Sequence, residues 1–184
     1  MFKIVAYLLA AGFFVQESLV REGSARSVER SETDRGSTLL LVTTYGLALI
    51  GTPILNRLAR SRLPRPVAAA GVGAMAAGLG LRYWAVRTLG GSYSRTLRTS
   101  PGQRVVESGP YAVIRHPGYA ASLLVWIGFG LAQGSRLSAL GIGLAMGAAY
   151  GYRIRAEEAM LGAALGEPYR RYSERTARLI PGVF

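Results

Sequence analysis

The chain has 184 residues, of which 50% are hydrophobic and 17% charged, below the roughly 25% charged typical of soluble domains, and its net charge is +12. It has no cysteine and one histidine, His116, which excludes disulfides, thiolate metal sites, a cysteine nucleophile and multi-histidine metal centres. The basic residues are spread between apolar runs rather than gathered on a basic helix, which favours anionic lipid headgroups over nucleic acid as partners.

The first apolar run covers residues 4–20. It is not read as a cleaved signal peptide, because further membrane-length runs follow it. Gln16 and Glu17 near its end mark an interface or a bundle-facing position. Residues 21–37 are polar, with Arg21, Arg26, Arg30 and Arg35 set against Glu22, Glu29, Glu32 and Asp34; these cancelling charges predict a solvated loop. The second run, 38–55, ends in a short basic turn with Arg57, Arg60, Arg62 and Arg65, punctuated by Pro64 and Pro66.

The third run covers 67–89. Small residues recur four apart in it, as Ala69, Gly73, Ala77 and as Ala70, Ala74, Gly78, a spacing that lets helices approach closely in lipid. Residues 90–117 form the longest connection, predicted as mostly loop, and a connection of that length is more often functional than idle. The fourth run, 118–132, and the fifth, 137–152, are joined by a turn so short that they must form an antiparallel hairpin. Gly143, Gly147 and Gly151 are predicted to seat one helix of that hairpin against the other. The tail, from Arg153 on, reads as a helix leaving the membrane, a break near Gly166 to Pro168, and a second short helix.

The predicted fold is therefore an all-α integral membrane protein of about five transmembrane helices with a helical tail. Residues 1–184 form one domain: 1–89 supply the first three spans and 90–184 a catalytic half. An odd number of spans puts the two ends on opposite sides. One side carries the 21–37 arginines, Arg95, Arg98, Arg104, Arg115 and the tail arginines; the other carries Lys3, the second-turn arginines and Arg136. The heavier load predicts a cytoplasmic tail, with the basic second turn as the feature that does not fit.

Two polar clusters flank the hairpin. Gly109-Pro-Tyr-Ala-Val-Ile-Arg-His-Pro-Gly-Tyr119 leads into run four, and Arg153-Ile-Arg-Ala-Glu-Glu158 leaves run five. An antiparallel hairpin brings them to one side of the membrane, where ionisable groups beside apolar runs are costly and point to function. Pro117 suits the first turn of a helix, whose free N–H groups can hold a polar ligand with Arg115 and His116 at its mouth. Arg153 and Glu157 have helical pairing distance, so a simple ion pair is the plain alternative to a site.

Arg115-His-Pro-x-Tyr119, then Arg153-Ile-x-x-Glu157-Glu158-x-x-Leu161, Leu165-Gly166-x-x-Tyr169-x-x-Tyr172 and Arg178-x-Ile180-Pro181 together resemble the isoprenylcysteine carboxyl methyltransferase family over residues 90–181. Ala121 and Leu165 stand where that family usually has Gly and Phe. The resemblance implies S-adenosylmethionine as methyl donor and a pocket between the hairpin, the preceding loop and the tail. It implies Tyr111, Arg115, His116, Pro117, Tyr119, Glu157 and Glu158 around the cofactor and Arg153, Tyr169 and Tyr172 around the substrate. Arg153 and Glu158 would be at the catalytic centre, with no metal. The expected acceptor is lipophilic and carries a carboxylate, such as an isoprenylcysteine-like molecule reached from the bilayer on the cytoplasmic side. Phospholipid N-methyltransferases and nicotinamide-dependent membrane lipid reductases share parts of these motifs, but no glycine-rich dinucleotide fingerprint is present. A non-enzymatic membrane interaction protein would explain the glycine ladders but not the clustered Arg, His and Glu residues.

Overall fold

The computed structural model describes residues 1–19, 34, 36–58, 62–93, 97 and 104–182. They form α1 (Phe2–Leu19), α2 (Ser37–Leu58), α3 (Arg65–Leu89), α4 (Pro117–Ala132), α5 (Arg136–Leu165) and α6 (Glu167–Arg175). Short 3-10 turns cover Gly90–Ser92 and Gly109–Ala112. The described residues contain two isolated β-bridges and no named strand. Of the 21–37 loop, Asp34, Gly36 and Ser37 are described, and the rest lies outside the described residues.

Phe2–Leu19 and Ser37–Leu58 are long and apolar enough to cross a membrane, with mean hydropathy of 1.4 and 1.7. The apolar α4 has 16 residues, a rise of roughly 24 Å against a hydrocarbon core of about 30 Å. The 30 residues of α5 rise roughly 45 Å, of which the apolar part before Arg153 accounts for roughly 25 Å and the polar part from Arg153 onward for the rest. Gly166, at φ 59°, ends α5, and Pro168 stands in the first turn of α6. The break therefore falls where the sequence predicts it.

The tightest seam joins α3 and α4. A Cβ on Gly128 would lie 2.5 Å from the Gly71 carbonyl oxygen, and one on Gly71 would lie 2.7 Å from the Gly128 oxygen and Ala132 nitrogen. A Cβ on Gly78 would meet the Ala121 oxygen at 2.7 Å. Of the two predicted stripes of α3, Ala69, Gly73 and Ala77 point outward, and of the other only Gly78 enters the seam. The buried face of α3 is Ala68, Gly71, Met75, Gly78, Arg82 and Ala85.

The glycine ladder of α5 is a second correction. Gly143, Gly147 and Gly151 have open space where a Cβ would be, so they do not seat the hairpin. That contact is made by Gly130, whose Cβ would lie 2.9 Å from the Ala139 Cα. The face of α5 that turns inward carries Ile142, Met146, Ala149 and Tyr150. The core beneath the site is aromatic: Trp126 stacks on Tyr45 at 4.9 Å and meets Phe13 edge-on at 5.7 Å.

Candidate active site

The site lies at the end of the bundle where α1, α3 and α5 finish and α2 and α4 begin. The 3-10 turn Gly109–Ala112 and the RHP segment cross this end, and the chain after α6 lies beside them. Arg115 N–H donates to the Ala177 carbonyl at 2.7 Å and His116 N–H to the Arg178 carbonyl at 3.1 Å. Two extended segments thus pair through their backbones, which fixes His116 as the residue capping α4. The helix begins at Pro117, as the sequence predicts.

Glu158 is the hub of this pairing. Its Oε1 accepts from Arg115 Nε at 3.1 Å and lies 3.3 Å from His116 Nε2. Arg178 Nε reaches both of its oxygens, at 2.9 and 3.1 Å. Burial pushes the Glu158 carboxyl up, but the His116 and Arg115 hydrogen bonds and the Arg178 charge outweigh it and bring it down to about 2. Arg115 also donates to the carbonyls of Ser173, at 2.5 Å, and Thr176. One carboxylate and one guanidinium therefore join α5, the start of α4 and the segment after α6.

Glu157, one residue earlier, faces elsewhere. Its Oε2 is buried without a hydrogen-bond partner and lies 3.7 Å from His116 Nδ1. It lines a cavity of about 250 Å³ that also takes in Tyr111, Arg115, His116, Tyr119, Arg153, Tyr169 and Tyr172. Glu158 and Pro117 are not among the residues lining it. Of the predicted site residues, these two stand behind the wall and the rest form it. The Tyr172 hydroxyl donates to the Tyr111 carbonyl at 2.8 Å, which ties α6 to the turn before α4. Burial raises the phenols of Tyr111 and Tyr169, with nearby carboxylate charge adding to it, and brings Tyr172 up to about 12. All three are neutral donors at physiological pH.

Arg153 sits at the cavity's deep edge, 3% exposed. Its Nε donates to the Tyr119 hydroxyl at 2.8 Å, and its Nη1 to Thr38 Oγ1 at 2.8 Å, Ser37 Oγ at 3.1 Å and Asp34 Oδ1 at 3.4 Å. Asp34 is buried, not solvated, which corrects the reading at that residue alone, since 21–33 and 35 lie outside the described residues. Burial raises the Asp34 carboxyl, but hydrogen bonds from Thr38 and Ser37 and the Arg153 charge lower it further, below its ordinary value. The His116 ring stacks parallel to Tyr119 at 5.5 Å, so the Arg153–Tyr119 bond continues to the helix cap.

A second buried arginine escaped the sequence reading. Arg82 of α3 pairs with Glu17 of α1 and donates to Ser122 Oγ at 2.7 Å, the Gly118 carbonyl at 3.3 Å and the Tyr93 hydroxyl at 3.1 Å. Both ends of this ion pair line the cavity. The signal was present: an ionisable residue inside an apolar run is costly and rarely idle.

The family model for isoprenylcysteine carboxyl methyltransferases (ICMT) matches residues 71–163, from the α3–α4 seam through the Glu157–Glu158 pair. The chain belongs to this family. A stretch of 44 residues, 24% of the chain, is 39% identical to the uncharacterised protein YpbQ of Bacillus subtilis (strain 168), covering 26% of that protein. The solved structure of the eukaryotic intramembrane Ras methyltransferase ICMT, determined without a monobody, superposes with a TM-score of 0.61 at 25% identity. The match covers 79% of this chain and 52% of that one, so the chain spans about half the length of the solved enzyme. The family model ends before Tyr169, Tyr172 and Arg178, whose places rest on the contacts described above.

Proposed function

We propose that this ICMT-family chain is a membrane methyltransferase of five spans that uses S-adenosylmethionine to methylate the carboxylate of a lipophilic, isoprenylcysteine-like acceptor on the cytoplasmic side. The observation that carries the reading is Glu157 Oε2, buried without a hydrogen-bond partner and 3.7 Å from His116 Nδ1, on the wall of a cavity lined by aromatic rings and by Arg153. An orphaned carboxylate oxygen in an aromatic pocket suits a ligand that brings its own cation or hydrogen-bond donors. S-adenosylmethionine fits this requirement, since it brings a sulfonium, an ammonium and ribose hydroxyls.

When bound, the cofactor supplies a methyl group on a sulfonium leaving group. The chain's contribution is orientation and exclusion of water, because a carboxylate acceptor is already ionised and needs no general base. Glu157, His116 and Tyr111 would hold the donor, with Tyr169 as a wall. Arg153, its rotamer fixed by Tyr119, Ser37 and Thr38, would place its positive charge beside the acceptor carboxylate. Glu158 and Arg115 would act by holding the tail over the cavity. Thr38, Leu41, Val42 and Tyr45 of α2 line the same cavity, giving the acceptor's apolar part a wall.

The decisive test is titration of purified protein with S-adenosylmethionine or its demethylated product, with NADPH in parallel, followed by transfer of labelled methyl to a small prenylated cysteine analogue. Binding and transfer with the methyl donor support the proposal. Binding of NADPH alone would favour a lipid reductase instead.

A further inference from the structure

A second, separate cavity of about 360 Å³ lies at the opposite end of the bundle, where α1 starts, α2 ends and α4 turns into α5. Its lining includes Lys3, Tyr7, Asn56, Arg57, Arg62 and Gln133. Lys3, Arg57 and Arg62 are exposed, whereas Gln133 is 1% exposed. The Gln133 carbonyl oxygen accepts from Asn56 Nδ2 at 3.4 Å, and the Asn56 oxygen accepts from Ser138 Oγ at 2.9 Å. The remaining group, Gln133 Nε2, is buried without a hydrogen-bond partner. A carboxamide nitrogen only donates, so this site asks for an acceptor.

The charges around it ask for the same thing. The sequence has no Asp or Glu before Glu17, between Asp34 and Glu107, or between Glu107 and Glu157. The end formed by the start of α1, the α2–α3 connection and the α4–α5 turn therefore carries basic residues and no carboxylate. The connection is also held in place: Leu63 N–H donates to the Gly134 carbonyl at 2.9 Å, and Arg62 bridges to Ser135. Arg62 is thereby anchored beside Gln133 in the α4–α5 turn.

We propose that this cavity binds a phosphate ester anion, with Lys3, Arg57 and Arg62 neutralising its charge and Gln133 Nε2 donating to one of its oxygens. At a membrane face the natural source is an anionic phospholipid headgroup, and free phosphate offers the same chemistry. The site also accounts for part of the basic second turn that the arginine count leaves on the less basic side: Arg57 and Arg62 hold a ligand. The proposal does not depend on the chemistry at the other end of the bundle.

The full chain is purified in the phosphate-free detergent dodecyl maltoside alone and with phosphatidylglycerol added, and its thermal unfolding and lipid retention are measured. A third arm adds inorganic phosphate to the detergent sample. Stabilisation by phosphatidylglycerol identifies a headgroup site, and an equal effect of inorganic phosphate identifies free phosphate as the source; both support the anion site. Arg57→Gln and Arg62→Gln, at exposed positions, should each weaken binding by about tenfold, as loss of a charge-assisted hydrogen bond does. Arg136→Gln, at the same end but outside the cavity lining, should leave it unchanged. Gln133→Leu should also reduce it, and if that variant fails to fold, the arginine variants decide. No stabilisation from either source, or equal losses in Arg136→Gln and Arg62→Gln, would overturn the proposal.

Discussion

Arg178 Nε donates to both carboxylate oxygens of Glu158, at 2.9 and 3.1 Å, across 20 residues that include the whole of α6. The pair closes a loop that begins on α5 and returns beside the start of α4. The carboxylate's other ligands, Arg115 and His116, come from the segment that pairs with residues 177 and 178. Removing the charge at Glu158 should therefore loosen the tail before it touches any ligand.

Glu158→Gln should lower thermal stability by about 2 kcal/mol, discounted for partial exposure from the full pKa shift. The pH dependence has a definite sign. The folded carboxyl titrates at about 2 against an ordinary 4.5, so its stabilisation is complete above about pH 4.5 and is lost as pH falls towards 2. Acid unfolding of the parent followed by tail-sensitive proteolysis checks this: Glu158→Gln should lose the step in that window. A variant with an unchanged acid profile would mean that the clamp contributes nothing.

Glu157→Gln should behave in the opposite way. It removes charge from an oxygen that has no hydrogen-bond partner, so the fold should be unchanged within about 0.5 kcal/mol. Affinity for S-adenosylmethionine should fall by about tenfold, the worth of one lost charge-assisted contact. Calorimetric titration of the two Glu→Gln variants side by side separates the ligand-facing carboxylate from the structural one. If Glu157→Gln binds as the parent does, the orphaned oxygen does not face the cofactor.

Glycine substitutions distinguish the α3–α4 seam from the open ladder. Gly128→Ala or Gly71→Ala places a Cβ within 2.7 Å of backbone atoms on the facing helix, which cannot move aside as a flexible side chain would. Each should cost about 1–3 kcal/mol by overpacking. Gly143→Ala and Gly147→Ala meet nothing within 4 Å and should be neutral or gain up to about 1 kcal/mol in helix propensity. Denaturation in detergent across the four variants is the check, and equal effects in both groups would contradict the seam.

The glycines also show where the sequence could be read and where it could not. A spacing of four residues repeats on several faces of one helix, so the pattern alone could not choose between Gly78 and the outward Ala69, Gly73 and Ala77. The start of α4 at Pro117 and the end of α5 at Gly166 were legible, because proline and glycine act locally on φ and on backbone donors. The RHP segment and the Glu157–Glu158 pair were legible as neighbours through the hairpin. Their division of labour was not, since it depends on which way adjacent side chains point around α5. Asp34 was hidden by its setting: its loop carries cancelling charges, and its partner Arg153 lies 119 residues away.

Arg153 gives the sharpest test of the acceptor. Its Nε and Nη1 are held by Tyr119, Thr38, Ser37 and Asp34, so the guanidinium plane is fixed before any substrate arrives. Such an arginine costs little further ordering when it meets a carboxylate. Arg153→Lys keeps the charge beside Asp34 but cannot reach Tyr119 and Thr38 at once in the same plane. If Arg153 orients the acceptor, methyl transfer to a prenylated cysteine analogue should fall by at least about tenfold, with S-adenosylmethionine affinity within about twofold of the parent. Asp34→Asn supplies the complementary arm: it keeps an acceptor for Arg153 and should reduce transfer less than Arg153→Lys does. Loss of cofactor affinity in Arg153→Lys, in step with turnover, would instead assign this arginine to the donor side of the cavity. Turnover equal to the parent's would leave it a purely structural tie between α2 and α5, and the carboxylate acceptor would lose its main support.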